Sequence, residues 1–88
     1  MQGLLYTASG DQKMIDVRDY AHAREILNSD NVKYIIYDDD RVFLIDDDAN
    51  DKNLKFNLKV SMLIKNPLAG DSILVGKDIL YTIRNKEW

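Results

Sequence analysis

Residues 33–48 read Lys33-Tyr34-Ile35-Ile36-Tyr37, Asp38-Asp39-Asp40, Arg41-Val42-Phe43-Leu44-Ile45, Asp46-Asp47-Asp48. Two apolar runs rich in β-branched and aromatic side chains each end in residues that favour turns. That is the pattern of a β-hairpin with acid at both ends. Tyr34 and Ile36 share one strand face, and Ile35 and Tyr37 share the other. With both faces apolar, at least part of the hairpin belongs in the middle of its sheet.

Working outward, Gly3–Thr7 and Lys13–Val17 are short strand candidates on either side of the turn cluster Ala8-Ser9-Gly10-Asp11, which makes a first hairpin. Asp16 and Asp19 are both suited to cap a helix N-terminus. A helix follows at about Tyr20–Asn28, with Tyr20, Ala23, Ile26 and Leu27 at helical spacing and Asn28-Ser29-Asp30-Asn31 ending it. Asp46–Asn53 reads as a polar loop. Leu54–Ile64 satisfies two periods at once. Leu54, Phe56, Leu58, Val60, Met62 and Ile64 alternate as in a half-buried strand, yet Val60, Leu63 and Ile64 suit one helical face, and periodicity does not decide between them. Pro67 closes the run. Asp71–Val75 and Ile79–Ile83, separated by Gly76-Lys77-Asp78, read as a closing hairpin. The expected fold is therefore α+β: a small antiparallel or mixed sheet with the Tyr20–Asn28 helix packed on one face.

The 88 residues make a single domain, and 45% hydrophobic content is enough for an ordered core. There is no cysteine, so disulfides and thiolate metal sites are excluded. That suits a reducing, cytoplasmic setting. The N-terminal residues lack the basic and apolar regions of a secretory signal, and no apolar run approaches a membrane span, so no membrane association is expected. Charge is unevenly distributed. Residues 1–51 hold 12 acids and 5 bases, a net of −7, whereas residues 52–88 hold 3 acids and 7 bases, a net of +4. The total of −3 argues against direct nucleic-acid binding, which needs a basic footprint.

The stretch Lys65-Asn66-Pro67-Leu68-Ala69-Gly70-Asp71-Ser72-Ile73-Leu74-Val75-Gly76-Lys77-Asp78-Ile79-Leu80 resembles the closing signature of a small domain of unknown function common in tailed phages and mobile elements. Asn57 matches that family's central asparagine. On this resemblance Leu58–Ile64 is a second short helix rather than a strand. The resemblance implies a viral or mobile-element origin and no particular chemistry, and the aspartate triplets depart from its pattern.

No residue set carries a recognisable reaction. Asp46, Asp48 and Asn50 match the opening of a calcium loop, but Asp51 stands where that loop needs glycine and Asn57 where it needs glutamate, so a solvated loop is the reading and no metal or cofactor is expected. His22 is the one histidine and has no local serine or cysteine pattern beside it. Phosphate-loop motifs are missing, although Lys65–Gly70 places a lysine and backbone amides beside a glycine, as anion-binding concavities do.

The expectation is a non-enzymatic phage accessory protein that acts by binding, against a host defence system. In its leading form a homo-oligomer holds a nucleotide-like ligand in a shared pocket, with Arg24, Lys65, Asn66 and Arg84 as contacts. In the alternative, Asp38, Asp39, Asp40, Asp46, Asp47 and Asp48 form an acidic edge that, together with Trp88, blocks a host protein by imitating nucleic acid.

Overall fold

The computed structural model describes residues 1–83. Five strands, β1 (Gln2–Tyr6), β2 (Gln12–Asp16), β3 (Val32–Ile36), β4 (Arg41–Asp46) and β5 (Ser72–Gly76), form one sheet in the order β2-β1-β5-β4-β3, with every neighbouring pair antiparallel. Helix α1 (Tyr20–Leu27) covers one face, and the seven-residue α2 (Leu58–Ile64) covers the other. The α+β expectation holds, with helices on both faces.

The period of two decides which side chain meets which helix. Val42 and Leu44 of β4, with Ile73 and Val75 of β5, pack against Tyr20, Ala23 and Leu27 of α1. Phe43, Ile45 and Leu74 point the other way, to Tyr6 and to Val60 of α2. Strand β4 is buried from Val42 to Asp46, which is the central placement its two apolar faces demanded, while β3 lies at the sheet border. Phe43 anchors the α2 side, with Tyr37 edge-on at 5.3 Å and Tyr6 tilted at 5.8 Å. Such aromatic pairs add about 0.5–1.5 kcal/mol each beyond area burial.

Helix α1 starts where an aspartate can cap it. The side chain of Asp19 accepts from the His22 amide, and Arg18 N–H donates to Nδ1 of His22, so the single histidine is part of the helix start. The helix ends at Asn28 in the left-handed conformation (φ 50°).

The closing hairpin is not formed. After β5 the chain enters a 3₁₀ helix, Lys77–Thr82, instead of the expected strand Ile79–Ile83. Alternation would set Tyr81 on the same side as Ile79 and Ile83, yet Tyr81 is 85% exposed. The residues that reach the α1-side core are Ile79, Leu80 and Ile83, at helical spacing. Thr82 fixes the turn: its Oγ1 donates to the Ile79 carbonyl and accepts from the Tyr20 amide, tying the segment to the start of α1.

Asn57 holds α2 in place. It is 1% exposed, and both ends of its amide are used. Oδ1 accepts from the Val60 amide as the helix N-cap, and Nδ2 donates to the carbonyls of Tyr6 and Gly70. Its backbone N–H donates to Leu68, and its carbonyl accepts from Ser61 Oγ. Gly70 accepts that bond at φ 85°, where an added Cβ would lie 3.1 Å from Leu54 Cδ1. Replacing Asn57 by Asp keeps the cap but turns the Nδ2 donor into an acceptor facing two carbonyls. We expect Asn57→Asp to cost about 3 kcal/mol or more, and Asn57→Ala about 2–4 kcal/mol. Thermal or urea unfolding measures both, and Asn57→Asp is the worse of the two.

Candidate functional site

Helix α2 is apolar on both sides. Val60 and Ser61 face the sheet, with Ile64 half-buried beside them. On the solvent side stand Leu58 (62% exposed) and Met62 (70% exposed), one turn apart, with Leu63 at its flank and Phe56 (50% exposed) just before the helix. A helix that is hydrophobic all round normally has a partner on every side. Here the outer partner is lacking among the described residues.

The stretch of sequence that carries this strip is basic. Residues 52–70 contain Lys52, Lys55, Lys59 and Lys65 and no acidic residue. Lys59 reaches across to Gln12 of β2 at 2.7 Å. Lys65 ends the helix in the left-handed conformation at φ 57°, a position where glycine avoids a cost of about 1–2 kcal/mol. A lysine is kept there at the expense of stability. Exposed apolar side chains on a lysine-bearing helix have the composition of a recognition surface with a polar rim.

The nucleotide-contact residues proposed from sequence do not converge within one chain. Arg24 lies on α1, 3.9 Å from Asp30, and belongs to a surface recess on the α1 side of the sheet. Lys65 and Asn66 lie at the end of α2, on the other side. Arg84 and Trp88 lie outside the described residues. Most amides of the Lys65–Gly70 loop are committed within the fold. Asn66 N–H donates to the Ser61 carbonyl, Leu68 N–H to Ser61 Oγ and Gly70 N–H to the Lys55 carbonyl, while Pro67 has no N–H.

The aspartate triplets do not form one acidic edge. They sit at opposite ends of β4, roughly 20 Å apart at ~3.3 Å per residue. Two of the six are structural. Asp38 closes the β3–β4 turn, accepting from the amides of Asp40 and Arg41 and from the Arg41 guanidinium at 2.7 Å and 3.0 Å. The Arg41 side-chain bond, followed by the turn amides, holds its carboxyl below the ordinary aspartate value. Asp46 is buried, its Oδ1 accepting from Ser29 Oγ and the Asp48 amide and its Oδ2 from Lys52 Nζ at 2.8 Å. Asp48 accepts from Asn31 Nδ2. Asp39, Asp40 and Asp47 are left as exposed carboxylates. Among the described residues no group of three or more histidines or carboxylates is placed to hold a metal ion.

A cleft of ≈ 370 Å³ opens at the Asp46 end of the sheet, lined by Leu27 and Leu54 and by Lys52, Lys55 and Asp71. Lys52 is committed to Asp46 and to the Asn28 carbonyl. Lys55 has no ion-pair partner among the described residues.

Set against known proteins, the chain matches no family model, no curated protein and no solved structure.

The Asp46 network has a pH signature. Burial pushes the Asp46 carboxyl up, but the bonds from Lys52, Ser29 and the Asp48 amide outweigh it and hold the group below its ordinary value. A carboxyl lowered on folding stabilises the folded state above its unfolded pKa of about 3.9, and the contribution is lost as pH falls through the folded value. The melting temperature therefore falls on acidification below about pH 4. Asp46→Asn removes part of that dependence and costs about 2–4 kcal/mol at neutral pH. A melting series from pH 7 to pH 2.5 on both proteins reads out the difference.

Proposed function

We propose that this chain is a non-enzymatic binding protein whose α2 face docks an acidic protein partner. The observation that carries the reading is the solvent side of α2, where Leu58, Met62 and Leu63 are exposed on a stretch of sequence that has four lysines and no acid from residue 52 to residue 70. Leucine, methionine and phenylalanine supply the contact area, methionine adapting to irregular surfaces, and the lysines steer a partner of opposite sign. The strained position of Lys65 supports the same reading, since a charge kept at a local energetic cost points to use. With the likeness of residues 65–80 to a phage-borne domain, the partner is a host protein and the chain an accessory that blocks it.

A second reading, capture of a nucleotide-like anion, draws on the ≈ 370 Å³ cleft beside Lys55. Calorimetry against linear and cyclic nucleotides tests it, and heat that disappears in Lys55→Glu supports the cleft over the helix face.

The main reading predicts that an amphipathic Glu/Leu helical peptide binds the chain, with affinity falling as salt rises, and that the matching Lys/Leu peptide does not. Leu58→Glu with Met62→Glu abolishes binding, while Arg24→Glu on the opposite face leaves it intact. Lys65→Gly raises stability by about 1 kcal/mol and weakens binding. Fluorescence anisotropy with labelled peptide reads all of these. Binding to anionic vesicles without binding to the acidic peptide would refute a protein partner.

A further inference from the structure

The sheet has two borders, β2 and β3, and β2 is the one that suits pairing with a second copy. In the β1–β2 ladder the pairs Met1/Val17 and Thr7/Asp11 are hydrogen-bonded, through Val17 N–H to the Met1 carbonyl and Thr7 N–H to the Asp11 carbonyl. The alternation of an antiparallel ladder then turns the N–H and C=O groups of Gln12, Met14 and Asp16 away from β1, toward solvent. Soluble proteins blunt such a border with proline, a bulge, a covering segment or edge charges, and of these β2 carries only the charges of Lys13 and Asp16. Residues 12–16 contain no proline, and their register with β1 runs residue for residue from Gln2↔Asp16 to Tyr6↔Gln12 without a bulge. Met14, at the centre, is 61% exposed.

We propose that β2 pairs antiparallel with β2 of a second copy, with the two-fold axis at Met14, joining the two sheets into one of ten strands. The stretch Gln12-Lys13-Met14-Ile15-Asp16 is complementary to itself in this register. Met14 meets Met14, Lys13 faces Ile15, and Gln12 faces Asp16, so no like charges stand directly opposite. The three outward residues of each strand exchange about six backbone hydrogen bonds. The decisive complementarity comes from α2. Gln12 and Met14 pair with Tyr6 and Leu4, which belong to the α2-side core, so Gln12, Met14 and Asp16 share that face. Lys59 Nζ already lies 2.7 Å from Gln12 Oε1. In the dimer Gln12 sits opposite Asp16 of the second copy, with Cβ atoms about 4.5–5.5 Å apart, which delivers Lys59 to that carboxylate. Asp16 is free to receive it, with a side chain 78% exposed and only a 3.4 Å contact to the Met1 amino group. Symmetry makes this two ion pairs.

The other border does not suit a second copy. Self-pairing of β3 in antiparallel fashion would set the Asp38–Asp40 turn of one chain beside the Asp46–Asp48 end of the other, acid against acid. Pairing through β2 keeps the triplets apart and puts both α2 helices on one face of the joined sheet. The dimer stands independently of what α2 binds, and it would double the surface offered to a partner.

Sedimentation equilibrium and light scattering on the 88-residue chain test the proposal. The wild type should be a dimer at micromolar concentration. Met14→Glu, which sets two carboxylates at the axis, should be a folded monomer by circular dichroism. Lys59→Asp and Asp16→Lys should each weaken dimerisation about tenfold or more, and the two together should restore it. The chain has no cysteine, so Met14→Cys gives a clean cross-link. Its Cα atoms would lie about 5.5 Å apart across the axis, within the disulfide range. A wild type that stays monomeric at hundreds of micromolar overturns the proposal. So does a dimer that survives Met14→Glu, ignores the charge swap and gives no Met14→Cys cross-link.

Discussion

One buried amide organises the α2 half of this molecule. Asn57 caps α2 with its oxygen and clamps the end of β1 and the loop before β5 with its nitrogen. A seven-residue helix is too short to be stable through its own hydrogen bonds. Its burial is also slight, since Val60 alone among its apolar residues is fully covered. The helix is therefore held by the polar lock at its start and by Ser61, whose hydroxyl donates to the Asn57 carbonyl and accepts from the Leu68 amide. Leu58 and Met62 lie outside this core, so their exposure follows from how the helix is fixed.

Charge is divided along the same lines. Three aspartates of the first half are spent on structure: Asp19 starts α1, Asp38 shapes the hairpin turn, and Asp46 pins the following loop through Ser29 and Lys52. Asp39, Asp40 and Asp47 remain exposed. The lysines of the second half are spent less. Lys52 is bound to Asp46, Lys55 lines the cleft at the Asp46 end, Lys59 of α2 reaches Gln12, and Lys65 caps the end of α2.

Much of the architecture could be read before the structure was seen. Both N-terminal hairpins carry alternation bounded by turn residues, and α1 carries a capping aspartate and an asparagine stop. The run Leu54–Ile64 could not be settled by period, because its apolar residues satisfy two and three-to-four spacing together. The likeness to the phage-borne domain pointed to the helix. An asparagine three residues before Val60, with no acid nearby, was the local sign of an N-cap. The last segment misled because Ile79, Tyr81 and Ile83 alternate, and only packing shows that Tyr81 is outside and Leu80 inside. That Arg24 and Lys65 lie apart within one chain was not legible either. Which face of the sheet an element covers is a tertiary fact, and α1 and α2 cover opposite ones.

The central claim is that the apolar face of α2 is presented by a firmly fixed helix and is not a loosely attached segment. Residue-resolved amide hydrogen exchange tests it most directly at Val60, whose N–H is held by the Asn57 side chain, and at Ser61, whose N–H is held by the Asn57 carbonyl. The account predicts that both exchange as slowly as Phe43 and Leu74 in the sheet, through global unfolding alone. Exchange at the rate of the exposed Thr7–Asp11 turn would contradict it.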